Sequence, residues 1–364
     1  MISVDRLHLR DFRSYNELDL AFSSGLTVVV GENGNGKTNL VEAIAFLARL
    51  KSFRGAPTEA LVRRGAELAI IRGEITCGDR DVLIETDIPL TGRMRTQVNK
   101  QRLARRVDLA EVLTVTVFSP DDLEIVKGGP GGRREFADDL LADLHPKNDA
   151  ATADFAKALR QRNALLKQMG GRRDDAAEIT LDVWDARITE LGERVGVLRS
   201  KLLAQLEPMV VDAYAELSAR RDHAHSVQLR YASSWHGGGL AAALRDSRAD
   251  DIRRGVSTVG PHRDDIDLLI DQMPARTHAS QGEQRSMVLA LRLAAHRLVT
   301  IARGEAPVLL LDDVFSELDP HRSAALLRTL PEGQKILTSA GEVPAVAAID
   351  ARLTIANSTV TLEP

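Results

Sequence analysis

A glycine-rich segment near the N-terminus has the residue types that bind phosphate groups. The segment reads Gly31-Glu32-Asn33-Gly34-Asn35-Gly36-Lys37-Thr38 and fits the pattern G-x-x-x-x-G-K-[ST]. Its glycines let successive backbone N–H groups point into one concavity, where they hold phosphate oxygens at a helix N-terminus. In such loops the lysine reaches the β- and γ-phosphates and the hydroxyl binds Mg²⁺. We therefore expect Lys37 and Thr38 to bind ATP together with Mg²⁺.

Two consecutive aspartates far downstream supply the carboxylates that such a site needs. Asp312 and Asp313 directly follow the apolar segment 308–311, which has the composition of a buried parallel strand. In other P-loop enzymes an aspartate at this place holds Mg²⁺, directly or through water. We expect Asp312 to lie on the metal side and Asp313 to orient or deprotonate the attacking water. The alternative is a solvated acidic loop after a core strand.

A third group of polar residues opens a long helical pattern between these two segments. The sequence SQGEQ at 280–284 is followed by apolar residues at helical spacing. Ser280 is a good helix N-cap, and a helix N-terminus attracts anions, so capping alone would explain it. Beside a phosphate loop and an acidic strand end, the segment also resembles the signature loop of ABC and SMC ATPases. Asp319 then falls where those proteins have their D-loop.

Short apolar strands and one amphipathic helix are predicted to position these residues. The predicted strands are 26–30, 308–311 and 336–337, with a β-rich stretch at 67–118. Segment 38–50, directly after the glycine-rich loop, has the apolar spacing of a helix. The prediction is an α/β P-loop ATPase head made of residues 1–122 and 250–364.

Residues 123–249 are predicted to form a compact, all-helical arm inserted into that head. Apolar side chains recur alternately every four and three residues, at Trp184, Ile188, Leu191, Val195, Leu198 and Leu202. This spacing fits an antiparallel, coiled-coil-like helix pair and fits a plain amphipathic bundle equally well. The sequence GGRRDD at 170–175 would be the tip of a helical hairpin.

Composition is that of an ordinary globular protein. Of 364 residues, 44% are hydrophobic and 27% are charged, which excludes a wholly disordered chain. The single cysteine, Cys77, excludes an internal disulfide and a cysteine-based metal cluster. No apolar run approaches the ~20 residues of a membrane span, and the N-terminus lacks the apolar core of a signal peptide. We expect a soluble, cytoplasmic protein without a membrane partner.

One basic segment is the candidate contact for DNA, since a net charge of -4 confines such contacts to local clusters. Residues 91–106 contain six cations and no acidic residue: Arg93, Arg95, Lys100, Arg102, Arg105 and Arg106. Such a segment attracts DNA phosphates with an affinity that falls steeply with salt. It contains no aromatic side chain, which disfavours stacking on single-stranded bases and favours contacts to the duplex backbone. A solvated surface loop is the alternative.

Six segments together resemble the RecF family of bacterial recombination-mediator ATPases. They are LHLRDFRSY at 7–15, GENGNGKT at 31–38, FSPDDL at 118–123, VGPHRDD at 259–265, SQGEQR at 280–285 and LLDDVFSELD at 310–319. They occur in family order and span nearly the whole chain. The resemblance implies an ABC/SMC-type ATPase head with a compact helical arm in place of a long coiled coil. It also implies ATP-dependent homodimers on DNA and help in loading the RecA recombinase at single-strand gaps, together with RecR and RecO.

The resemblance also assigns roles across two copies of the chain. Lys37 and Thr38 of one subunit would bind phosphate and Mg²⁺. Ser280 and Gly282 of the second subunit would contact the same γ-phosphate, and Asp319 would lie across the interface. The nucleotide site would then be complete only in a dimer.

Some residues leave these roles open or depart from the wider ABC pattern. Arg13 follows an N-terminal strand and either approaches the nucleotide or forms a surface ion pair. Gln281 replaces a glycine of the signature, and Asp313 stands where a glutamate is usual. The strand end at 338–339 offers no switch histidine, and no Q-loop glutamine is evident at 119–122. A shorter carboxylate and a missing histidine predict slow hydrolysis, as in a switch.

Two other functions compete with this interpretation. The first is the nucleotide-binding subunit of a transporter, against which stand the helical insertion and the absence of an intact LSGGQ signature. The second is an SMC-like ATPase that serves a nuclease or a defence system, although the sequence has no evident carboxylate cluster for a nuclease metal beyond the ATP site.

Overall fold

The computed structural model of the chain describes residues 1–172, 175–218, 226–341, 343, 348–356 and 358–363, without the side chains of 106, 107, 317, 362 and 363. Its strands are β1 (Ile2–Phe12), β2 (Tyr15–Ala21), β3 (Leu26–Val30), β4 (Leu68–Cys77), β5 (Arg80–Pro89), β6 (Arg95–Val98), β7 (Gln101–Arg102), β8 (Val115–Phe118), β9 (Val227–Ala232), β10 (Asp265–Ile270), β11 (Met273–Pro274), β12 (Val308–Asp312), β13 (Lys335–Ser339), β14 (Ala351–Ala356) and β15 (Thr359–Glu363). Its helices are α1 (Lys37–Arg49), α2 (Leu123–Lys127), α3 (Pro130–Leu144), α4 (Pro146–Met169), α5 (Asp175–Leu217), α6 (Leu240–Arg254), α7 (Ala275–His278), α8 (Gln281–Arg303) and α9 (Pro320–Thr329). In the described parts of the chain, none of the helices combines the length and the apolar character that a membrane-spanning helix requires.

The chain folds into two compact units. The first unit comprises Met1–Leu123, Asp212–Ala224 and Ser280–Pro364, and the second comprises Glu124–Val211 and His225–Ala279. The sequence-based boundaries placed 250–279 with the first unit. The structure places this stretch in the second unit because β10 pairs along its length with β9 and then with β11. The second unit therefore contains a three-stranded antiparallel sheet, and the expectation of an all-helical arm is corrected.

A six-stranded, mainly parallel sheet forms the centre of the first unit. Its strand order is β15-β14-β3-β13-β12-β8, and only the β14–β15 pairing is antiparallel. All five residues of β12 are buried, as expected for a parallel strand covered on both faces. Because β3, β13 and β12 are parallel neighbours, their carboxyl ends meet at one edge of the sheet. That edge carries the glycine-rich loop, the two aspartates and the end of β13.

A second six-stranded sheet lies in the same unit, with strand order β2-β1-β4-β5-β6-β7 and antiparallel pairings throughout. Buried and half-buried residues alternate along β5 from Val82 onward, as expected when successive side chains point to opposite faces of a sheet. Helix α1 contacts strands of both sheets. This explains why it is apolar around nearly its whole circumference, with residues such as Leu40, Ile44 and Leu47 fully buried. The expected strand, glycine-rich loop and helix are confirmed.

The helices of the second unit form a bundle with its own apolar clusters. The α5 residues Ile188, Leu191 and Val195 pack with Phe155 of α4 and Leu240 of α6. The side chains at the four-and-three spacing of α5 therefore pack against α4 and α6. Trp184 is half-buried against the same cluster and is a core residue. The expected hairpin tip at 170–175 includes residues 173–174, which lie outside the described residues.

Candidate nucleotide-binding site

The glycine-rich loop joins the end of β3 to the start of α1, and two of its glycines have backbone angles that other residues rarely adopt. Gly34 has φ 87° and Gly36 has φ 104°. A Cβ on Gly36 would lie 3.0 Å from the Ser14 hydroxyl and 3.0 Å from the Tyr15 hydroxyl. The Tyr15 hydroxyl donates a 3.0 Å hydrogen bond to the Gly36 carbonyl. The loop conformation thus depends on glycine at this position.

Lys37 is the first residue of α1 and lies inside the loop. It is 5% exposed, and its ammonium donates hydrogen bonds to the carbonyls of Gly31 at 2.6 Å and Glu32 at 3.0 Å. Burial lowers the pKa of Lys37, while the neighbouring Asp313 and Asp312 carboxylates act in the opposite direction. A buried ammonium close to the loop's backbone N–H groups is the arrangement that binds phosphate oxygens.

Asp312 lies at the end of β12 between two threonine hydroxyls. Its Oδ1 accepts hydrogen bonds from Thr38 Oγ1 at 3.0 Å and from Thr338 Oγ1 at 2.8 Å. The parallel register of β12 and β13 sets Asp312 opposite Thr338. Burial raises the pKa of Asp312, and the two hydroxyl donors oppose that shift. A carboxylate and a hydroxyl this close together are hard oxygen donors, so Thr38 and Asp312 fit a Mg²⁺ ion.

Asp313 has different surroundings from its neighbour. Its φ of 48° is in the left-handed region, which aspartate tolerates better than most residues. Its N–H donates to the Thr338 hydroxyl at 3.0 Å and to the Thr338 carbonyl at 3.2 Å. The half-buried side chain lines a small cavity together with Phe118, Ser119 and Arg285. The two consecutive carboxylates can therefore have separate tasks.

Ser280 caps the N-terminus of α8 in a capping box. The backbone N–H of Ser280 donates to Glu283 Oε2 at 2.7 Å, and the N–H of Glu283 donates to Ser280 Oγ at 3.3 Å. Asp319 similarly caps α9 and accepts from the N–H of Arg322 at 2.9 Å. This backbone hydrogen bond is the main cause that lowers the pKa of Asp319. In the described residues, no hydrogen bond joins Ser280, Gly282 or Asp319 to the loop at 31–38.

Arg13, for which the sequence left open an approach to the nucleotide or a surface ion pair, forms a largely buried ion pair with α1. Its Nε and Nη2 donate to the Glu42 carboxylate at 2.8 and 2.7 Å, and its Nη1 donates to the Ala60 carbonyl at 2.9 Å. Glu42 belongs to α1 and is fully buried, and it also accepts from the Ser52 hydroxyl at 2.5 Å. The Arg13 guanidinium thus holds the helix that follows the glycine-rich loop.

Sequence reasoning missed three side chains around the site. The Thr338 hydroxyl hydrogen-bonds to the Asp312 carboxylate and to the Asp313 backbone N–H. Arg322 donates a hydrogen bond to the Asp319 carboxylate, and the positive charge of the exposed Arg54 acts to lower the pKa of Asp312. No motif marks them. Thr338 and Arg54 act on Asp312 from segments that are distant in the sequence, whereas Arg322 lies three residues from Asp319. For Thr338 the only signal in the sequence is its place at the end of the predicted strand 336–337.

The basic segment forms an exposed hairpin of β6 and β7 at the edge of the antiparallel sheet. Its turn residues Asn99 and Lys100 both have positive φ, as in the tight turns that join hairpin strands. Arg93, Arg95, Lys100 and Arg102 are all exposed. Their environments differ, however. Arg95 is paired in register with Asp87, and Arg105 forms an ion pair with Asp108 at 2.8 Å. The side chain of Arg106 lies outside the described residues.

Comparison with known proteins finds close relatives over the full length. The model of the RecF/RecN/SMC N terminal domain family matches residues 3–343. The DNA replication and repair protein RecF of Acidothermus cellulolyticus is 39% identical over 354 residues, which cover 94% of this chain and 94% of the relative. The protein of the same name from Streptomyces avermitilis is also 39% identical, over 98% of this chain and 99% of its own.

Solved structures give the same result for the fold. The recombination mediator protein RecF with ATP, of the RecFOR pathway, superposes with a TM-score of 0.91 at 28% identity and covers 100% of this chain and 98% of its own. The Smc head domain of Pyrococcus furiosus, at 19% identity and a TM-score of 0.58, covers 100% of this chain and 96% of its own and shares the fold. With a glycine-rich loop and an acidic strand end at one edge of an ABC/SMC-type α/β head, this chain belongs to the RecF family of DNA replication and repair proteins.

Proposed function

We propose that this chain is an ATP-dependent DNA-binding switch of recombinational repair that dimerises on ATP and DNA. One observation carries this function. Lys37, Thr38 and Asp312 converge on a single edge of the sheet, whereas Ser280 and Asp319 are exposed helix caps that make no hydrogen bond to that edge in the described residues. A nucleotide held by the first group would therefore present its γ-phosphate to the second group of another copy.

The residues of the loop would hold ATP and Mg²⁺ in one subunit. The backbone N–H groups of 31–38 bind phosphate oxygens, Lys37 pairs with the β- and γ-phosphates, and Thr38 and Asp312 hold Mg²⁺. Mg²⁺, when bound, neutralises charge that develops on the phosphate oxygens. Asp313 orients the attacking water and accepts its proton. The solved structure of RecF with ATP, which is similar over the whole chain, supports ATP as the nucleotide.

We expect hydrolysis to be slow. Asp313 is one methylene shorter than the usual glutamate, so it approaches a water less closely. Its backbone N–H is also tied to Thr338, which occupies the strand end where ABC ATPases have a histidine. Slow turnover suits a protein whose ATP-bound state is the active one. A rapid, DNA-independent kcat of many per second would contradict this.

Light scattering tests the two-subunit site. The wild type should be a monomer without nucleotide and a dimer with ATP, Mg²⁺ and DNA, and Ser280→Arg should stay monomeric because the larger, charged side chain blocks the partner's γ-phosphate. Ser24→Arg, at another exposed serine of the same unit, is the matched control and should dimerise normally. A wild type that is monomeric under every condition would refute the dimeric switch.

Duplex DNA would contact the β6–β7 hairpin. Arg102→Glu should weaken duplex binding and lower the dependence of log K on log salt by about 1, the change for one lost phosphate contact. Arg105→Glu should have a smaller effect, because Arg105 is already paired with Asp108. ATP binding should survive in both variants. Unchanged binding of Arg102→Glu at low salt would exclude the hairpin as the contact.

The partners follow from the family. RecR and RecO are expected to bind the ATP-bound dimer and to direct it to duplex DNA beside single-strand gaps in the cytoplasm, where RecA is then loaded. The solved relatives are described as recombination mediators of the RecFOR pathway, which supports these partners. Co-sedimentation of RecR with the chain, with and without ATP on gapped DNA, tests the assignment. RecR binding that ignores nucleotide would contradict a switch.

A further inference from the structure

Arg322, in the first turn of α9, joins two exposed segments that lie far apart in the sequence. Its Nη1 donates to the Asp319 carboxylate, and its Nε donates to the Ser286 hydroxyl of α8 at 3.0 Å. Ser286 is 1% exposed, so this end of the contact is anchored in the core of the unit. The Arg322 side chain itself is 19% exposed. One guanidinium thus connects the start of α8 with the cap of α9.

Gly282 leaves the space that this guanidinium occupies. A Cβ on Gly282 would lie 2.9 Å from Arg322 Nη2 and 3.2 Å from Cζ, closer than side-chain atoms normally pack. Gly282 is not among the glycines with positive φ, and a glycine inside a helix is less favourable than alanine by about 1 kcal/mol. Backbone conformation therefore does not explain the glycine, whereas the close approach of Arg322 does.

We infer that Arg322 is a positioning residue that makes Ser280, Gly282 and Asp319 one rigid surface for the nucleotide of a second copy. This inference rests on the proposed two-subunit site and deepens it. A guanidinium has donors in a fixed planar fork, so it can hold the Asp319 carboxylate and the Ser286 hydroxyl at the same time. Movement of residues 280–284 is thereby transmitted to Asp319 at the start of α9.

The link also decides what variants of Arg322 should change. The Arg322–Asp319 pair lies three residues apart on one helix turn, with Asp319 42% exposed, and pairs of this kind contribute little to global stability, so the main effect should be local. Arg322→Gln should leave the unfolding midpoint and ATP binding by the monomer close to wild type. It should loosen both helix caps together, and the partner's nucleotide would then meet a mobile surface.

Hydrogen exchange of the nucleotide-free protein tests the link directly. In Arg322→Gln, exchange at the first amides of α8 and at the first amides of α9 should both rise about fivefold. Arg328→Gln, an exposed arginine on the same helix, is the matched control and should change neither segment. Faster exchange at α9 alone would overturn the inference, because Arg322 would then only cap its own helix.

ATP-driven dimerisation tests whether the contacts of Arg322 support binding of the second copy. Arg322→Gln and Ser286→Ala should each weaken the dimer about tenfold, and the double variant should be no weaker than the worse single variant, since both break the contact between Arg322 and Ser286. Multiplying effects would overturn the inference, because they would show that Ser286 and Arg322 act separately. Arg322→Lys, which keeps the pair with Asp319 but not the second bond, should lie between wild type and Arg322→Gln. If the wild type forms no dimer, the proposed function fails, and the exchange experiment still decides the link.

Discussion

Asp312→Asn should make the nucleotide-free protein more stable and the ligand-bound protein less stable. The Asp312 carboxylate is 3% exposed, and burial raises its pKa. A carboxyl group with a raised pKa in the folded state stabilises the fold below its unfolded pKa of about 3.9. That contribution is lost as the pH rises through the folded-state pKa. In its ionised form Asp312 therefore opposes folding.

The contacts of the carboxylate keep the gain small. Burying an ion costs several kcal/mol, and the two threonine hydroxyls at 3.0 and 2.8 Å offset most of this, at about 1.5–3 kcal/mol for each bond to a charged group. The asparagine Oδ1 keeps both bonds as neutral ones and removes the buried charge. We expect a gain of about 0.5–2 kcal/mol in the free energy of unfolding, the usual range of single stabilising substitutions.

Bound ligand should make the wild type more stable than Asp312→Asn, the reverse of the order without ligand. A ligand at 100 times its Kd stabilises the folded state by about 2.7 kcal/mol. The variant lacks the carboxylate that holds Mg²⁺ and should lose most of this stabilisation. Urea unfolding at pH 8, once with EDTA and once with Mg²⁺ and a slowly hydrolysed ATP analogue, measures both differences. The two unfolding curves should exchange places on addition of ligand.

Asp313→Asn is the matched control for this experiment. Its side chain is half-buried at the rim of a cavity, so its neutralisation should change the ligand-free stability by less than about 0.5 kcal/mol. The reasoning is refuted if Asp312→Asn destabilises the ligand-free protein, since the buried charge would then be fully compensated. Full ligand stabilisation in Asp312→Asn would equally remove Asp312 from the Mg²⁺ site.

Two further predictions concern buried titratable and charged side chains elsewhere in the chain. Burial lowers the pKa of His296 to about 4, so the neutral imidazole stabilises the fold fully above a pH of about 6.5, and this contribution is lost as the pH falls. His296→Gln should therefore remove about 2 kcal/mol of the decrease in unfolding free energy that urea titrations measure between pH 7 and 5. An unchanged decrease would show that His296 does not titrate in this way. Arg162 is fully buried with its guanidinium 2.6 Å from Asp185 and 2.7 Å from Asp251, so Arg162→Met should cost about 3–5 kcal/mol in the same assay, against little change for the exposed Arg160→Met; a loss under 1 kcal/mol would contradict the buried network.

The parts of the site that sequence could predict are those specified locally. A buried strand, a glycine-rich loop and a helix follow one another within 26–50, so their geometry is set by neighbours in the chain. Asp312 and Asp313 were likewise predicted because they end an apolar strand. Thr338 was not, because its contact with Asp312 depends on the parallel register of β12 and β13, and no local pattern encodes that register.

Charge partners explain the remaining differences. The sequence of 91–106 shows six cations and no acidic residue, yet in the fold Arg95 is in register with Asp87 on the neighbouring strand, and Arg105 forms an ion pair with Asp108 just beyond the segment. Arg13 finds its partner Glu42 on α1, 29 residues away. Counting charges along a chain locates a basic surface, but it does not tell which cations remain available for phosphates, because pairing is decided by tertiary structure.

The two groups of candidate residues differ in burial, and this gives a criterion for separating their roles. Lys37 and Asp312 are 5% and 3% exposed, so substitutions there change ligand-free stability as well as ligand binding. Ser280 and Asp319 are exposed caps, so larger side chains there should cost the monomer no more than the roughly 0.5–2 kcal/mol of a lost helix cap and should leave its ATP binding intact. A variant that loses dimerisation without losing monomer stability or ATP binding therefore marks a residue that acts on the partner's nucleotide. A variant that changes all three marks a residue of the subunit's own site.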